Sequence, residues 1–245
     1  MAVITLSRQE GAGGDQLASR LAKILKYRLV DKELLVTVAA MAHAPIEQVE
    51  RFAEGRVSRL ERFLHGLVRA LPNLDEYYRA YATVPLDDAE RLKHYVFYGH
   101  QEGQADFSHL SRADCLRFFE SAIRDLADRG KVIVVGRGSQ VLLADFPHAL
   151  HVRVVASEAF RAGAIARDRA MSEDEAAEVA RDVEEHRADY LAANYDRDVN
   201  DPALYDFVVR TDKLAVDDVA AFVRKWVVQE TARHEAQLEG DRPGD

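Results

Sequence analysis

The sequence has little cysteine, little positive charge and no long apolar run. Cys115 is the single cysteine among 245 residues, which excludes an internal disulfide and suggests a reducing, cytoplasmic location. No apolar segment approaches the roughly 18 residues that a membrane-spanning helix needs. The N-terminus reaches a charge at Arg8, too early for a signal peptide. We therefore expect a soluble protein without a membrane partner.

The charge balance excludes a further class of protein. The chain has 33 Lys+Arg against 42 Asp+Glu residues, and its formal net charge is −9. Non-specific binding of nucleic acid needs a positive field, so we expect no nucleic-acid partner. With 48% hydrophobic residues the chain can bury a sizeable core. Its length predicts one large domain, or one domain with an insertion.

Strand-like and helix-like patterns alternate along the chain. Val3–Leu6 is a short β-branched run, and the apolar residues between Leu17 and Leu25 recur at the spacing of one helix face. Lys131–Val135 is nearly continuous in apolar residues, as a central parallel strand is. Two later segments look like further strands, His151–Ala156 and Phe207–Val209. The alternation predicts an α/β fold with a mostly parallel sheet.

Three segments complete this single predicted domain of residues 1–245. Residues 45–110 are interpreted as a helical, aromatic-rich insertion, whose aromatics form either satellite packing or a substrate-side or oligomer surface. Residues 157–200 form a charged helical region, with Ser172 and Glu175 at capping-box spacing. The polar residues 230–245 are expected to be a flexible tail.

A glycine-rich turn follows the first strand, over residues 7–16. Glycines at this place let backbone N–H groups surround a phosphate at the start of a helix. The full P-loop pattern is G-x-x-x-x-G-K-[ST]. With its second glycine aligned on Gly13, Arg8 stands at the first glycine, Gly14 at the lysine and Asp15 at the Ser/Thr. The turn therefore lacks the most diagnostic residues of the pattern.

Two interpretations of this turn follow from the residues. In the first it is only a tight connection, and Asp15 caps the following helix. In the second its N–H groups bind phosphate, Arg8 replaces the missing lysine charge and Asp15 coordinates Mg²⁺. On the turn alone the first interpretation is favoured.

Longer motifs change this balance, because they resemble the cytidylate kinase-like family, a branch of the P-loop nucleoside-monophosphate kinases. That family typically has an S-R-x-x-G-S-G-G-type loop instead of the lysine-containing one. The resemblance covers most of the chain except about residues 45 to 110. It is carried, in the family's order, by Ile4–Gly14, Tyr27–Leu35, Val132–Gly138, His151–Ala156, Arg161 and Tyr205–Asp212.

The resemblance implies a P-loop three-layer sandwich with a helical lid, and transfer of a phosphoryl group from ATP, with Mg²⁺, to a nucleoside monophosphate. CMP or dCMP is the leading acceptor. Arg8, Arg161 and Arg187 are the implied catalytic arginines, the last two closing from the lid at 157–200. The implied nucleotide-binding residues are Gly11, Ala12, Gly13, Gly14, Asp15 and Gln16.

The acceptor side departs from the family at one position. Arg137 and Asp31 are expected to face the acceptor. Cytidylate kinases have G-R-D where this chain has Gly136-Arg137-Gly138, so the aspartate that helps to hold the nucleoside is missing. The alternative to an enzyme is therefore a kinase-like regulatory or interaction module that binds a nucleotide or another anion without transfer. For either function, the insertion is a candidate surface for an oligomer.

Overall fold

The computed structural model describes the backbone of residues 2–31 and 112–240, and the side chains of 2–31 and 116–233. The predicted insertion at 45–110 lies outside these residues, as does the side chain of Cys115. Apart from the first turns of one helix, the described residues belong to one compact unit, Met1–Leu34 with Phe119–Asp245.

Five strands and six helices alternate over the described residues. The strands are β1 (Val3–Arg8), β2 (Arg28–Val30), β3 (Val132–Val135), β4 (Ala149–Val155) and β5 (Phe207–Arg210). The helices are α1 (Gly14–Leu25), α2 (Arg112–Arg129), α3 (Ser139–Leu142), α4 (Glu158–Arg169), α5 (Glu173–Tyr195) and α6 (Val216–Gly240). A 3₁₀ turn at Pro202–Leu204 precedes β5.

The strands form one parallel sheet in the order β2-β3-β1-β4-β5. The central strand β1, predicted from the β-branched run, is buried almost throughout, and its apolar residues Ile4 and Leu6 belong to the core. Parallel strands end at the same edge of the sheet, so Arg8, Val135 and Val155 bring the loops that follow them together. The predicted α/β fold with a mostly parallel sheet is confirmed.

One face of the sheet supplies the hydrophobic core. Leu6 and Val152, from adjacent strands, pack there with Leu17 of α1 and Val223 of α6, and all four are fully buried. Burying a side chain of this size stabilises the fold by roughly 1.5–3 kcal/mol before entropy is counted. This packing fixes the start of α1 against the end of β1, where the glycine-rich turn lies.

The opposite face carries buried polar groups. Thr5, Ser7, His151 and Arg153 alternate with the core residues of β1 and β4, and each is at most 9% exposed. Oγ1 of Thr5 lies 2.8 Å from Nδ1 of His151. Burial lowers the pKa of His151, although the nearby Asp206 carboxylate partly opposes this shift. This imidazole is therefore a neutral partner inside the sheet.

The charged region at 157–200 contains α4 and α5. Ser172 caps α5 with the predicted capping box, in which its hydroxyl accepts from the N–H of Glu175 and the Glu175 carboxylate accepts in return. Helix α6 continues to Gly240, past the start of the predicted tail, whose flexibility stays a prediction. Among the described helices, none is both long and apolar enough to cross a membrane.

Candidate phosphate-binding site

The turn between β1 and α1 has a backbone that only glycine adopts easily. Gly11 and Gly13 have φ angles of 76° and 74°, in the left-handed region. A Cβ on Gly11 would lie 2.6 Å from the Arg161 carbonyl oxygen, and one on Gly14 would lie 2.4 Å from Cβ of Arg8. The glycines therefore let α4 and β1 approach the start of a twelve-residue helix, whose N-terminal dipole attracts anions.

Arg8 is the first cation beside this turn. Its Nε donates to Oδ1 of Asp15 at 2.6 Å, and its Nη2 lies 3.6 Å from Oδ2 of Asp31. A Cβ on Gly136 would lie 3.4 Å from its Nη1, so Arg8 also borders the loop after β3. Two groups of predicted residues, those of the turn and those of the acceptor side, thus meet at this one guanidinium.

Asp15 does not cap α1. The N-cap is Gly13, which makes no side-chain capping bond, and Asp15 lies in the first turn with its carboxylate on Arg8. The capping interpretation therefore assigns the wrong residue. At the helix start, the exposed carboxylate of Asp15 therefore forms an ion pair with the half-buried guanidinium of Arg8.

Arg187 and Arg169 bring α4 and α5 onto the turn. The guanidinium of Arg187 donates to the Arg8 carbonyl at 2.8 Å, to Oε2 of Glu10 at 2.9 Å and to Oε1 of Glu184 at 3.1 Å. Arg169 donates to the other oxygen of Glu10 at 2.6 Å. The backbone N–H of Glu10 donates to Oε1 of Glu184 at 2.8 Å. The carboxylates of Glu10 and Glu184 are thus the anionic partners of these two arginines.

These contacts lie close to solvent. The four side chains of the network are between 21% and 29% exposed, so solvent weakens each ion pair. Partly exposed pairs contribute about 0.2–1 kcal/mol each. A phosphate accepts charge-assisted hydrogen bonds from arginine just as a carboxylate does. Sequence reasoning missed Glu10 and Arg169, because no local spacing predicts a contact across about 160 residues.

Arg161 is a buried cation with unused hydrogen-bonding capacity. It is 8% exposed, its Nε donates to the Ala156 carbonyl at 3.3 Å, and its buried Nη1 has no hydrogen-bond partner among the described residues. A buried donor without a partner is costly, and an anion would satisfy it. Arg161 borders a cavity of about 350 Å³ lined also by Gln9, Arg181, Glu184, Glu185, Ala188, Val199 and Asn200.

Two residues hold the cavity and the turn in place, and the sequence patterns assigned neither a role. Arg153 is 4% exposed and donates to Ser7, to the Tyr205 hydroxyl and to Asn200 at 3.0–3.2 Å. Thr211 donates to the Ala12 carbonyl in the turn at 2.7 Å. Both residues lie inside motifs that carry the family resemblance. Their place in those motifs is the sequence feature from which a role could have been predicted.

A neighbouring ion pair anchors the segment after β5. Arg210 donates twice to the carboxylate of Asp212, at 2.7 and 3.1 Å. This bonding lowers the pKa of Asp212 to about 2, with further bonds from Ser157. Asp212 therefore stays ionised at neutral pH and links the end of β5 to the start of α4, next to Thr211.

Gly136-Arg137-Gly138 forms the predicted acceptor loop at the end of β3. All three residues have left-handed φ angles, of 72°, 59° and 68°. The Arg137 guanidinium lies 5.9 Å from the centroid of the Phe119 ring, close enough for a cation–π contact. The Tyr195 hydroxyl, at the end of α5, donates to the Arg137 carbonyl at 3.4 Å. The loop is thus positioned by aromatic residues.

The described residues do not form a magnesium site by themselves. Within residues 2–31 and 116–233 there is no group of three His, Cys, Asp or Glu side chains that would hold a metal ion. Asp15, the predicted ligand, has one carboxylate oxygen on Arg8. A phosphate fits better, given the unpartnered Arg161 nitrogen and the glycine turn at the α1 terminus.

Comparison with known proteins identifies the family. Residues 3–213 match the model of the cytidylate kinase-like family, and the chain belongs to that family. Together with the strand order, this confirms the predicted P-loop α/β fold class. None of the curated proteins matches the sequence.

Solved structures are similar at low sequence identity. An uncharacterized protein from Eubacterium ventriosum has a TM-score of 0.59 at 16% identity, over 93% of this chain and 98% of that one. A shikimate kinase from Bacteroides thetaiotaomicron has a TM-score of 0.45 at 11% identity, over 92% of this chain and 98% of the other. The first similarity supports a shared fold and nothing beyond the fold.

Proposed function

We propose that this protein is a phosphotransferase that moves the γ-phosphoryl group of ATP to a nucleoside monophosphate, with CMP or dCMP as the leading acceptor. The observation that carries the proposal is that Arg8 and Arg187 contact the glycine turn at a helix N-terminus, while the buried Arg161 borders the cavity beside Gln9. Phosphoryl transfer depends mainly on positioning and charge neutralisation, which such an arrangement supplies.

The nucleotide phosphates would lie over Gly11–Gln16. Their oxygens would take the place of the Glu10 and Glu184 carboxylates on Arg187, and would satisfy the unused nitrogen of Arg161. A phosphate oxygen of the acceptor would attack the γ-phosphorus, and the bond to the oxygen that bridges to the β-phosphorus would break. Because negative charge shifts to the leaving oxygen in this step, the arginines stabilise the transition state.

Mg²⁺ would accompany the nucleotide rather than occupy a site made by the protein alone. When bound, it would neutralise phosphate charge, and Asp15 is the described carboxylate nearest the helix start that would help to hold it. On the acceptor side, Arg137 would bind the acceptor phosphate. Asp31 would orient Arg8, whose Nη2 it faces. Residues 157–200 would act as the lid, within a single domain that works in the cytoplasm.

The alternative is a kinase-like module that binds an anion without transferring a phosphoryl group. The ion pairs of Glu10 with Arg169 and Arg187 favour it, because the chain's own carboxylate holds cations that a nucleotide would need. Gly14 at the lysine position favours it too.

One experiment separates the two functions. ADP release is measured with ATP·Mg²⁺ over a panel of nucleoside monophosphates, alongside calorimetric titration of ATP. Turnover with at least one acceptor supports the phosphotransferase, whereas ATP binding without turnover supports the module. If the protein binds neither ATP nor GTP, the phosphotransferase and a nucleotide-binding module are both excluded, and only a module for another anion is left. Arg224→Ala is the matched control for the arginine variants, because Arg224 is exposed on α6.

A further inference from the structure

The Tyr195 ring occupies the space beside the acceptor loop in which a side chain of residue 138 would otherwise lie. An ideal Cβ on Gly138 would be 2.3 Å from Cε2 and 2.9 Å from Cζ of the Tyr195 ring. A rigid ring at that distance leaves no room for any side chain at 138. A ligand above this loop therefore meets the aromatic ring of α5 instead of a group carried by residue 138.

The ring is a neutral surface. Burial, together with the nearby Tyr190 and Glu120, raises the pKa of the Tyr195 phenol far above its usual value. The hydroxyl thus remains protonated and directs its hydrogen at the Arg137 carbonyl. The Glu120 carboxylate accepts from Arg124 at 3.1 Å, so this acid already has a cationic partner.

The Tyr195 ring is held in place by its neighbours. The Tyr190 ring supports Tyr195 edge-on, with centroids 6.1 Å apart and planes at 69°. Phe119 is buried beneath the Arg137 guanidinium. Tyr195 and Arg137 themselves are only partly buried. A fixed aromatic face thus lies beside a cation at the end of a central strand.

We propose that Tyr195 is a binding residue of the acceptor subsite, and that it offers a stacking surface to the base of a nucleoside monophosphate. This rests on the proposed function, in which Arg137 binds the acceptor phosphate. Every nucleobase has a flat face, so stacking discriminates poorly among bases. Strong discrimination needs hydrogen-bonding groups built to match one base, and residue 138 has no side chain to supply one. The site therefore accepts CMP as one of several nucleoside monophosphates.

The test is a kinetic comparison of acceptors and variants. Wild-type kcat/KM is expected to vary by less than about tenfold across CMP, dCMP, UMP, AMP and GMP, as stacking predicts. Tyr195→Leu removes the ring but keeps apolar volume, and should raise KM for every acceptor by about tenfold while KM for ATP stays unchanged. Tyr195→Phe keeps the ring and should retain the wild-type values.

A wild-type spread above tenfold, or an unchanged acceptor KM in Tyr195→Leu, would overturn the stacking role and leave the proposed function intact. If the wild type transfers nothing, the proposed function fails and the stacking role is decided by calorimetry. Similar affinities for the five monophosphates that weaken together in Tyr195→Leu would support it. Base-selective binding, or none, would overturn it. Circular dichroism and thermal melts establish that each variant is folded.

Discussion

The two loops of the site are held by different physical means. The glycine turn after β1 is clamped by ion pairs of Arg169 and Arg187 with Glu10, which are partly exposed. The acceptor loop after β3 is positioned by packing, with the Tyr195 ring against Gly138. Ion pairs near solvent exchange partners at little cost, whereas a packed ring cannot move without opening a void. The first loop is therefore suited to an exchangeable anion, and the second to a constant shape.

The largest expected effect concerns the exchangeable loop. Arg187→Ala should lower kcat/KM for ATP by about 10²–10³-fold, because it removes a guanidinium that would stabilise transferring phosphate. Its ion pairs are partly exposed, so the melting temperature should change by only a few degrees, on the order of 1 kcal/mol. Steady-state kinetics and thermal melts measure both. Activity of Arg187→Ala equal to that of Arg224→Ala would remove Arg187 from the site.

The next effect concerns the packed loop. Gly138→Ala should lower the free energy of unfolding by about 2–4 kcal/mol, since it adds a Cβ at a left-handed φ of 68° and against the Tyr195 ring. In the Tyr195→Leu background the cost should shrink towards the backbone contribution of about 1–2 kcal/mol. Urea denaturation of the wild type, the two single variants and the double variant measures the four free energies of unfolding for this comparison. Equal costs in both backgrounds would show that the ring does not exclude a side chain.

A smaller effect is expected on ATP affinity when Glu10 loses its charge. Glu10→Gln should tighten ATP binding by about three- to tenfold, because a neutral amide competes less well than a carboxylate for Arg169 and Arg187. Calorimetry measures the affinity. Glu178→Gln, at an exposed position of α5, is the control for loss of one negative charge. Weaker ATP binding in Glu10→Gln would mean that Glu10 supports the ligand instead of competing with it.

The smallest effect lies in the sheet that carries both loops. Burial lowers the pKa of His151, so the folded state opposes its protonation. The stability contribution of the neutral ring is complete above the ordinary pKa of about 6.5 and is lost as the pH falls below it. Urea unfolding at pH 7.5 and 5.5 should show a steeper loss for the wild type than for His151→Gln. Equal losses would show that folding does not lower the pKa of His151.

Local patterns predicted the elements well. The capping box at Ser172 and the apolar strands β1 and β3 were predictable because each depends on neighbours within a few residues. The order of the strands was not, since it depends on pairings between residues that lie far apart in the chain, such as Val152 with Phe207 and Val3 with Ala149. Asp15 was a candidate cap because acids are common at helix starts, but Gly13 is the N-cap and the Asp15 carboxylate pairs with Arg8.

The sequence by itself determined the α/β class, the glycine turn after the first strand and the resemblance to the cytidylate kinase-like family, because periodicity, glycines and motifs are properties of short segments. Only the tertiary structure decided which groups face that turn. Glu10 meets Arg169 of α4, and Tyr195 of α5 covers Gly138, because the parallel sheet and these two helices bring together residues far apart in the chain. The physical reason is that charge and shape act through space, and their partners are set by the packing of whole elements.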